Sequence, residues 1–167
     1  MFTPDALLAA LSRHGIEYAL HRHEPVFTVA EADRIDGEIP GLSTRNLFLK
    51  DKKERLFLVT LPADFKIDLK KLAALLGAGR LSFAAPDLLS RHLGVAPGSV
   101  TPFAVINDPD HNVTLILEKQ MMAADLVNFH PLVNTMTVGL APAALLEFLR
   151  LCGHSATILD LSPAAAP

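Results

Sequence analysis

Apolar positions along the chain change period several times. Leu7, Leu8 and Leu11 recur at helical spacing after Thr3-Pro4-Asp5, a hydroxyl cap followed by Pro at the first helical position and an acid near the positive end. Gly15 closes that helix, and Ile16 to His21 reads as a strand. Thr28-Val29-Ala30-Glu31 is a capping-box pattern opening a second short helix, expected to run to about Ile35. Leu47-Phe48-Leu49 and Leu56-Phe57-Leu58-Val59 flank a charged turn, Asp51 to Arg55, and predict a hairpin. Asp68 to Leu76 and Pro86 to Leu93 predict helices, closed by Gly77 and Gly94, with a short strand at Arg80 to Phe83 between them.

Beyond the Gly- and Pro-rich segment Val95 to Pro102, the pattern predicts strands at Phe103 to Ile106 and Val113 to Leu117 around a polar turn. Further strands are expected at Leu126 to Phe129 and Thr135 to Val138, a last helix at Pro142 to Leu151, and an edge strand at Ile158 to Leu161. Helices and hairpin-like pairs without βαβ repeats indicate an α+β (mixed α/β) fold: a curled, largely antiparallel, barrel-like sheet with surrounding helices. No repeat or linker divides the chain, so one domain is expected over 1–161. The Ala/Pro-rich tail, 162–167, is expected to fray.

The 167 residues suffice for a substantial core, and with half of them hydrophobic and a fifth charged the composition is globular. One Cys excludes an internal disulfide, and the first eleven residues lack a basic leader; a cytoplasmic location is the simplest expectation. The net charge of −3 argues against indiscriminate coating of nucleic acid but leaves room for a local basic patch. Leu126 to Leu146 carries no charged residue, yet Asn128, His130, Pro131, Asn134 and Pro142 speak against a membrane span.

Candidate chemistry begins in the hairpin. Asn46, Phe48 and Lys50 share one face of their strand, and an amide, a ring and an ammonium suit a cleft that receives an anion. Equally, Lys50 can end the strand and point to water. Lys50, Lys52, Lys53 and Arg55, then Lys66, Lys70, Lys71 and Arg80, form basic runs that suit phosphates, although solvated faces account for most such residues. Gly98-Ser99-Val100-Thr101-Pro102 can aim main-chain N–H groups at an anion or a developing oxyanion, or be an ordinary turn. His130 and Asn134 bring hydrogen-bonding side chains to an irregular segment. The seven His lack paired zinc spacing and read as scattered, and Cys152, ending an apolar helix, reads as a small buried hydrophobe.

Three segments in order, Arg45 to Asp51, Leu93 to Phe103 and His130 to Thr135, resemble the YbaK-type aminoacyl-tRNA editing domains, within which the free-standing alanyl-tRNA(Pro) deacylases are most similar. The resemblance spans nearly the whole chain. It implies a trans-editing hydrolase that deacylates mischarged Ala-tRNA(Pro), excluding proline by size. Deacylation of Cys-tRNA(Pro) or another small aminoacyl-tRNA, and a non-catalytic tRNA-binding or synthetase-associated module, are the alternatives. It further implies a catalytic set of Lys50, Gly98, Ser99 and Pro102, with Lys50 also engaging the tRNA end. Asn46, His130 and Asn134 are expected to bind the aminoacyl group, and Lys52, Lys53 and Arg80 the tRNA. The implied partner is the acceptor end of tRNA(Pro), with a prolyl-tRNA synthetase as a further expected associate. Neither DNA, membrane, cofactor nor metal is expected.

Overall fold

The computed structural model describes residues 1–167. Its elements are α1 (Pro4–Arg13), β1 (Ala19–Arg22), α2 (Val29–Glu38), β2 (Leu42–Lys50), β3 (Leu56–Pro62), α3 (Leu69–Leu76) and β4 (Ser82–Phe83). There follow α4 (Pro86–Leu93), β5 (Val113–Glu118), β6 (Val127–Phe129), β7 (Met136–Leu140), α5 (Pro142–Leu151) and β8 (Ala156–Leu159). Short 3₁₀ turns lie at Pro102–Asn107, Lys119–Ala123 and Ser162–Ala164.

The helix boundaries follow local chemistry. Thr3 Oγ1 accepts the Ala6 N–H, Thr28 Oγ1 accepts that of Glu31, and Asp68 accepts those of Lys70 and Lys71. The Glu31 carboxylate reaches back to the Phe27 N–H at 3.0 Å, one residue before the cap. α2 continues to Glu38, past the expected Ile35, and stops short of Pro40.

The strands form one eight-stranded mixed sheet in the order β1-β7-β6-β2-β3-β5-β8, with β4 also on β2. It does not close into a barrel: β1 and β8 remain its two ends. β2 pairs antiparallel with β3 from Thr44↔Pro62 to Lys50↔Leu56. β3 then runs parallel to β5, and β5 parallel to β8. Every residue of β3 is buried, as a strand covered on both faces requires. The larger core lies on the Phe48 and Leu58 side against α1, α4 and α5. On the other side Leu47, Leu49, Phe57, Val59 and Leu61 meet α3.

Two expectations are corrected. Phe103 to Ile106 is not a strand: Thr101 Oγ1 accepts the Phe103 N–H, Pro102 opens a 3₁₀ turn, and β5 finds β3 and β8 instead of a hairpin partner. The tail expected to fray is tied down. Ala164 is buried, its carbonyl accepts the Asp68 N–H at 2.8 Å, and the Ala166 N–H donates to the Lys66 carbonyl at 2.8 Å. No helix is long and apolar enough to cross a membrane.

Candidate active site

The site is built on an edge of β2 that the sheet leaves unfilled. One edge of β2 is occupied throughout by β3. On the other, β6 pairs only with Leu42 and Ser43, and β4 only with Leu49 and Lys50. Phe48 and Thr44 turn their peptide groups away from β3, shown by the Ala84 N–H donating to the Phe48 carbonyl. By strand parity Asn46 does the same, so its N–H and C=O face the gap with no ladder partner. Its side-chain oxygen accepts the buried Thr60 hydroxyl at 2.6 Å, which fixes the amide and leaves its NH₂ for the site.

The segment carrying Gly98 and the residue after β6 close this gap. Thr44, Arg45, Asn46, Gly98, Val100 and His130 line an open depression. Gly98 has φ +90°, a conformation L side chains rarely adopt, and the place of a Cβ on it lies 3.7 Å from Asn134 Nδ2. The N–H groups of Gly98 and Val100 donate to no group of the chain, whereas that of Ser99 donates to the Ala96 carbonyl at 3.0 Å. Ser99 and Pro102 are buried and frame the loop.

His130 Nδ1 lies 2.9 Å from the Met136 carbonyl. A carbonyl only accepts, so Nδ1 carries the proton and Nε2 of the neutral ring is an acceptor. Burial holds the imidazole below its ordinary pKa, helped by the nearby His23 and opposed by the Met136 bond and Asp36. The two imidazoles lie 6.2 Å apart. His130 also borders a second, small and mostly polar compartment, where Asp36, Ser43, Asn128 and Thr137 join Thr44, Asn46 and Phe129. The Thr44 hydroxyl donates to the Asn128 carbonyl at 2.6 Å and so ties β2 to β6 at this point.

Lys50 stands four residues along β2 from Asn46, roughly 13 Å away. It shares a separate recess with Lys52, Arg80 and Ser82, and its Nζ lies 3.5 Å from Glu54. Asn46, Gly98, His130 and Asn134 are thus brought together, and Lys50, Lys52 and Arg80 form a neighbouring basic group. Lys53 lies on the exposed hairpin turn outside both. Sequence reasoning missed Asp36, Ser43, Thr44, Thr60, Asn128 and Thr137. Most are common polar residues brought in by pairings across the sheet, with no local signature. The alternation of β2, which groups Thr44 with Asn46, is the one signal that bears on any of them.

A family model described as the aminoacyl-tRNA editing domain matches residues 23–148. A prolyl-tRNA editing protein, ProX, from Acetoanaerobium sticklandii is 36% identical over 162 residues, covering 96% of this chain and 99% of that protein. The prolyl-tRNA synthetase associated domain-containing protein 1 of Danio rerio is 39% identical over 152 residues, 90% of this chain and 83% of that protein. A solved structure titled as a putative trans-editing enzyme for prolyl tRNA synthetase superposes with a TM-score of 0.69 at 22% identity, covering 96% of this chain and 97% of that one, a likeness of fold. The family match over most of the chain, with relatives spanning nearly all of it, places the chain in the aminoacyl-tRNA editing domain family.

Proposed function

We propose that this protein is a trans-editing aminoacyl-tRNA deacylase that hydrolyses Ala-tRNA(Pro). The observation that carries the reading is the unfilled edge of β2, where Asn46, Gly98, Val100 and His130 line one depression and the Gly98 and Val100 N–H groups have no partner in the chain. An acyl ester needs such an arrangement. Water oxygen bonds to the carbonyl carbon, the ester oxygen leaves to the ribose and takes up a proton, and charge builds on the carbonyl oxygen.

In this reading the free N–H groups of the Gly98 loop stabilise that oxyanion, where losing one donor costs ~2.7–4 kcal/mol. His130 Nε2 accepts a hydrogen bond from the attacking water or from the free ribose hydroxyl. The substrate sugar supplies the remaining proton path, so no side-chain nucleophile is required. Lys50, with Lys52 and Arg80, holds the phosphates of an extended acceptor end running along β2. Ser99 and Pro102 set the loop's shape instead of touching the ester. Proline is excluded by size, because a pocket built for proline rejects alanine by only ~1–3 kcal/mol and a second, smaller pocket must remove it. Association with a prolyl-tRNA synthetase belongs to the same proposal.

The lining of the polar compartment favours a second substrate. Only Phe129 is apolar among its residues, so a serine hydroxyl finds partners there that alanine cannot use. The test is deacylation of tRNA(Pro) charged separately with Ala, Cys, Ser and Pro, with Lys50→Ala alongside. Hydrolysis of Ala-tRNA(Pro) that spares Pro-tRNA(Pro) and falls at least tenfold in Lys50→Ala supports the reading. Faster cleavage of the Ser or Cys ester reassigns the substrate. Binding of tRNA with no ester cleaved converts the protein to a non-catalytic module.

A further inference from the structure

One carboxylate reaches the polar compartment, and no cation pairs with it. Asp36 projects from α2 at the compartment's mouth, beside Ser43, Asn46 and His130. No Lys or Arg lies within ion-pair distance of it, although Arg34 on the same helix pairs with Glu38 at 3.7 Å. The charged or titratable groups nearest it are His130, His23 and Asp33. His130 is neutral near pH 7 for the reason given above, and Asp33 is a second acid. Partial burial pushes the Asp36 carboxyl up; Ser43, His130 and His23 restrain that rise and Asp33 adds to it. A carboxylate so placed lacks a counter-charge.

An aminoacyl ester brings one. Its α-ammonium is attached to the carbon next to the reacting carbonyl. Thr44, Asn46 and His130 line both the open depression and the polar compartment. An ester carbonyl held at the Gly98 loop therefore directs its α-substituents toward the compartment that Asp36 guards. We infer that Asp36 binds the α-ammonium of the substrate and makes the enzyme selective for esters bearing a free amino group. The inference rests on the hydrolytic reading above. It assigns Asp36 to substrate binding, with Ser43 as the hydroxyl that orients its carboxylate.

The probe is a pair of esters of equal size: Ala-tRNA(Pro), and lactyl-tRNA(Pro), in which a hydroxyl replaces the ammonium. Each single-turnover rate is divided by the uncatalysed hydrolysis of the same ester, which removes the ammonium's own activating effect. Wild-type protein is expected to prefer the alanyl ester by tenfold or more after this correction, as a charge-assisted hydrogen bond warrants. Asp36→Asn is expected to reduce that preference at least fivefold, through weaker substrate binding. A residue that merely held α2 in place would slow both esters equally and leave the preference intact, and that result overturns the inference. Asp36 is a solvent-reached helix position, so the variant keeps the core, and an unchanged thermal midpoint verifies this. A wild-type preference below twofold also overturns the inference while leaving the deacylase reading standing. Failure of wild-type protein to hydrolyse either ester overturns both.

Discussion

Phe103 links the stability of the core to the geometry of the Gly98 loop. It is fully buried directly after Pro102, and meets Phe148 and Phe129 edge to face with ring centroids 5.2 and 5.8 Å away. Phe103→Leu keeps an apolar side chain and removes both edge contacts. Each such pair is worth ~0.5–1.5 kcal/mol beyond burial, so the expected loss is ~1–3 kcal/mol. Phe103→Ala adds a cavity and is expected to cost ~3–5 kcal/mol, a large share of the ~5–15 kcal/mol that stabilises a typical domain. Denaturant midpoints at unchanged slope measure both losses, and ~2 kcal/mol corresponds to a fall of ~4–8 °C in Tm for a chain of this size. The same ring seats the turn that the loop enters: the Phe103 and Ala104 N–H groups donate to Thr101 Oγ1 at 3.3 Å and to its carbonyl at 3.1 Å. Phe103→Leu is therefore expected to slow single-turnover deacylation about tenfold under conditions where it is fully folded, since small misplacements at a reacting centre are costly. A stability change under ~0.5 kcal/mol refutes the packing argument. Activity that merely tracks the folded fraction refutes the coupling to the loop.

Two further predictions concern titration. His130 has a native pKa below the ordinary ~6.5, so in the window just beneath that value the unfolded chain binds more protons than the native one. Stability is expected to fall as pH drops through this window, and deacylation through the Nε2 acceptor to fall only at lower pH, where the native ring itself takes up a proton. An acid limb of kcat/KM identical in wild type and His130→Asn would remove His130 from the reaction. Cys152 lies half-buried beside Arg13, His14 and Phe148, and burial pushes its thiol up to about 11. At pH 8 only about 0.1% of it is thiolate, so alkylation is expected to run some hundredfold slower than for a free cysteine, and Cys152→Ala to retain full deacylase activity. Alkylation at the free-thiol rate would contradict the burial.

What could be read from the sequence was what neighbours in sequence decide. The caps at Thr3 and Thr28 and the hairpin across Asp51 to Arg55 each depend on residues within four positions of one another. In the structure they stand where expected. The run Phe103 to Ile106 was misread because four consecutive apolar residues suit a buried strand and a buried turn equally. Thr101-Pro102 repeats the Thr3-Pro4 signal that opens α1, and giving it the same weight would have resolved the ambiguity. The tail was misread for a different reason. Ala and Pro suggest fraying by composition, but a side chain as small as that of Ala164 lets the backbone lie close enough to α3 to exchange main-chain hydrogen bonds.

The site itself divides along the same line. Asn46, Phe48 and Lys50 were placed on one face by strand alternation alone, and the structure gives the middle member a role that spacing could not. Phe48 is buried in the larger core, so it pins the strand between two polar positions that remain accessible. Asp36, Asn128 and Thr137 reach the same place from α2, β6 and β7, through the parallel pairing of β2 with β6 and the hairpin of β6 with β7. The first of these pairings joins residues some 85 positions apart, at Leu42↔Val127 and Ser43↔Asn128, and no local pattern encodes it. That short ladder also makes the site. Had β6 continued along β2 past Ser43, its backbone would have consumed the Asn46 N–H and filled the gap. Instead the chain leaves the strand direction at His130-Pro131, and His130 Nδ1 donates to the Met136 carbonyl at 2.9 Å. His130, where the pairing stops, is thus also a residue that lines the gap its ending creates.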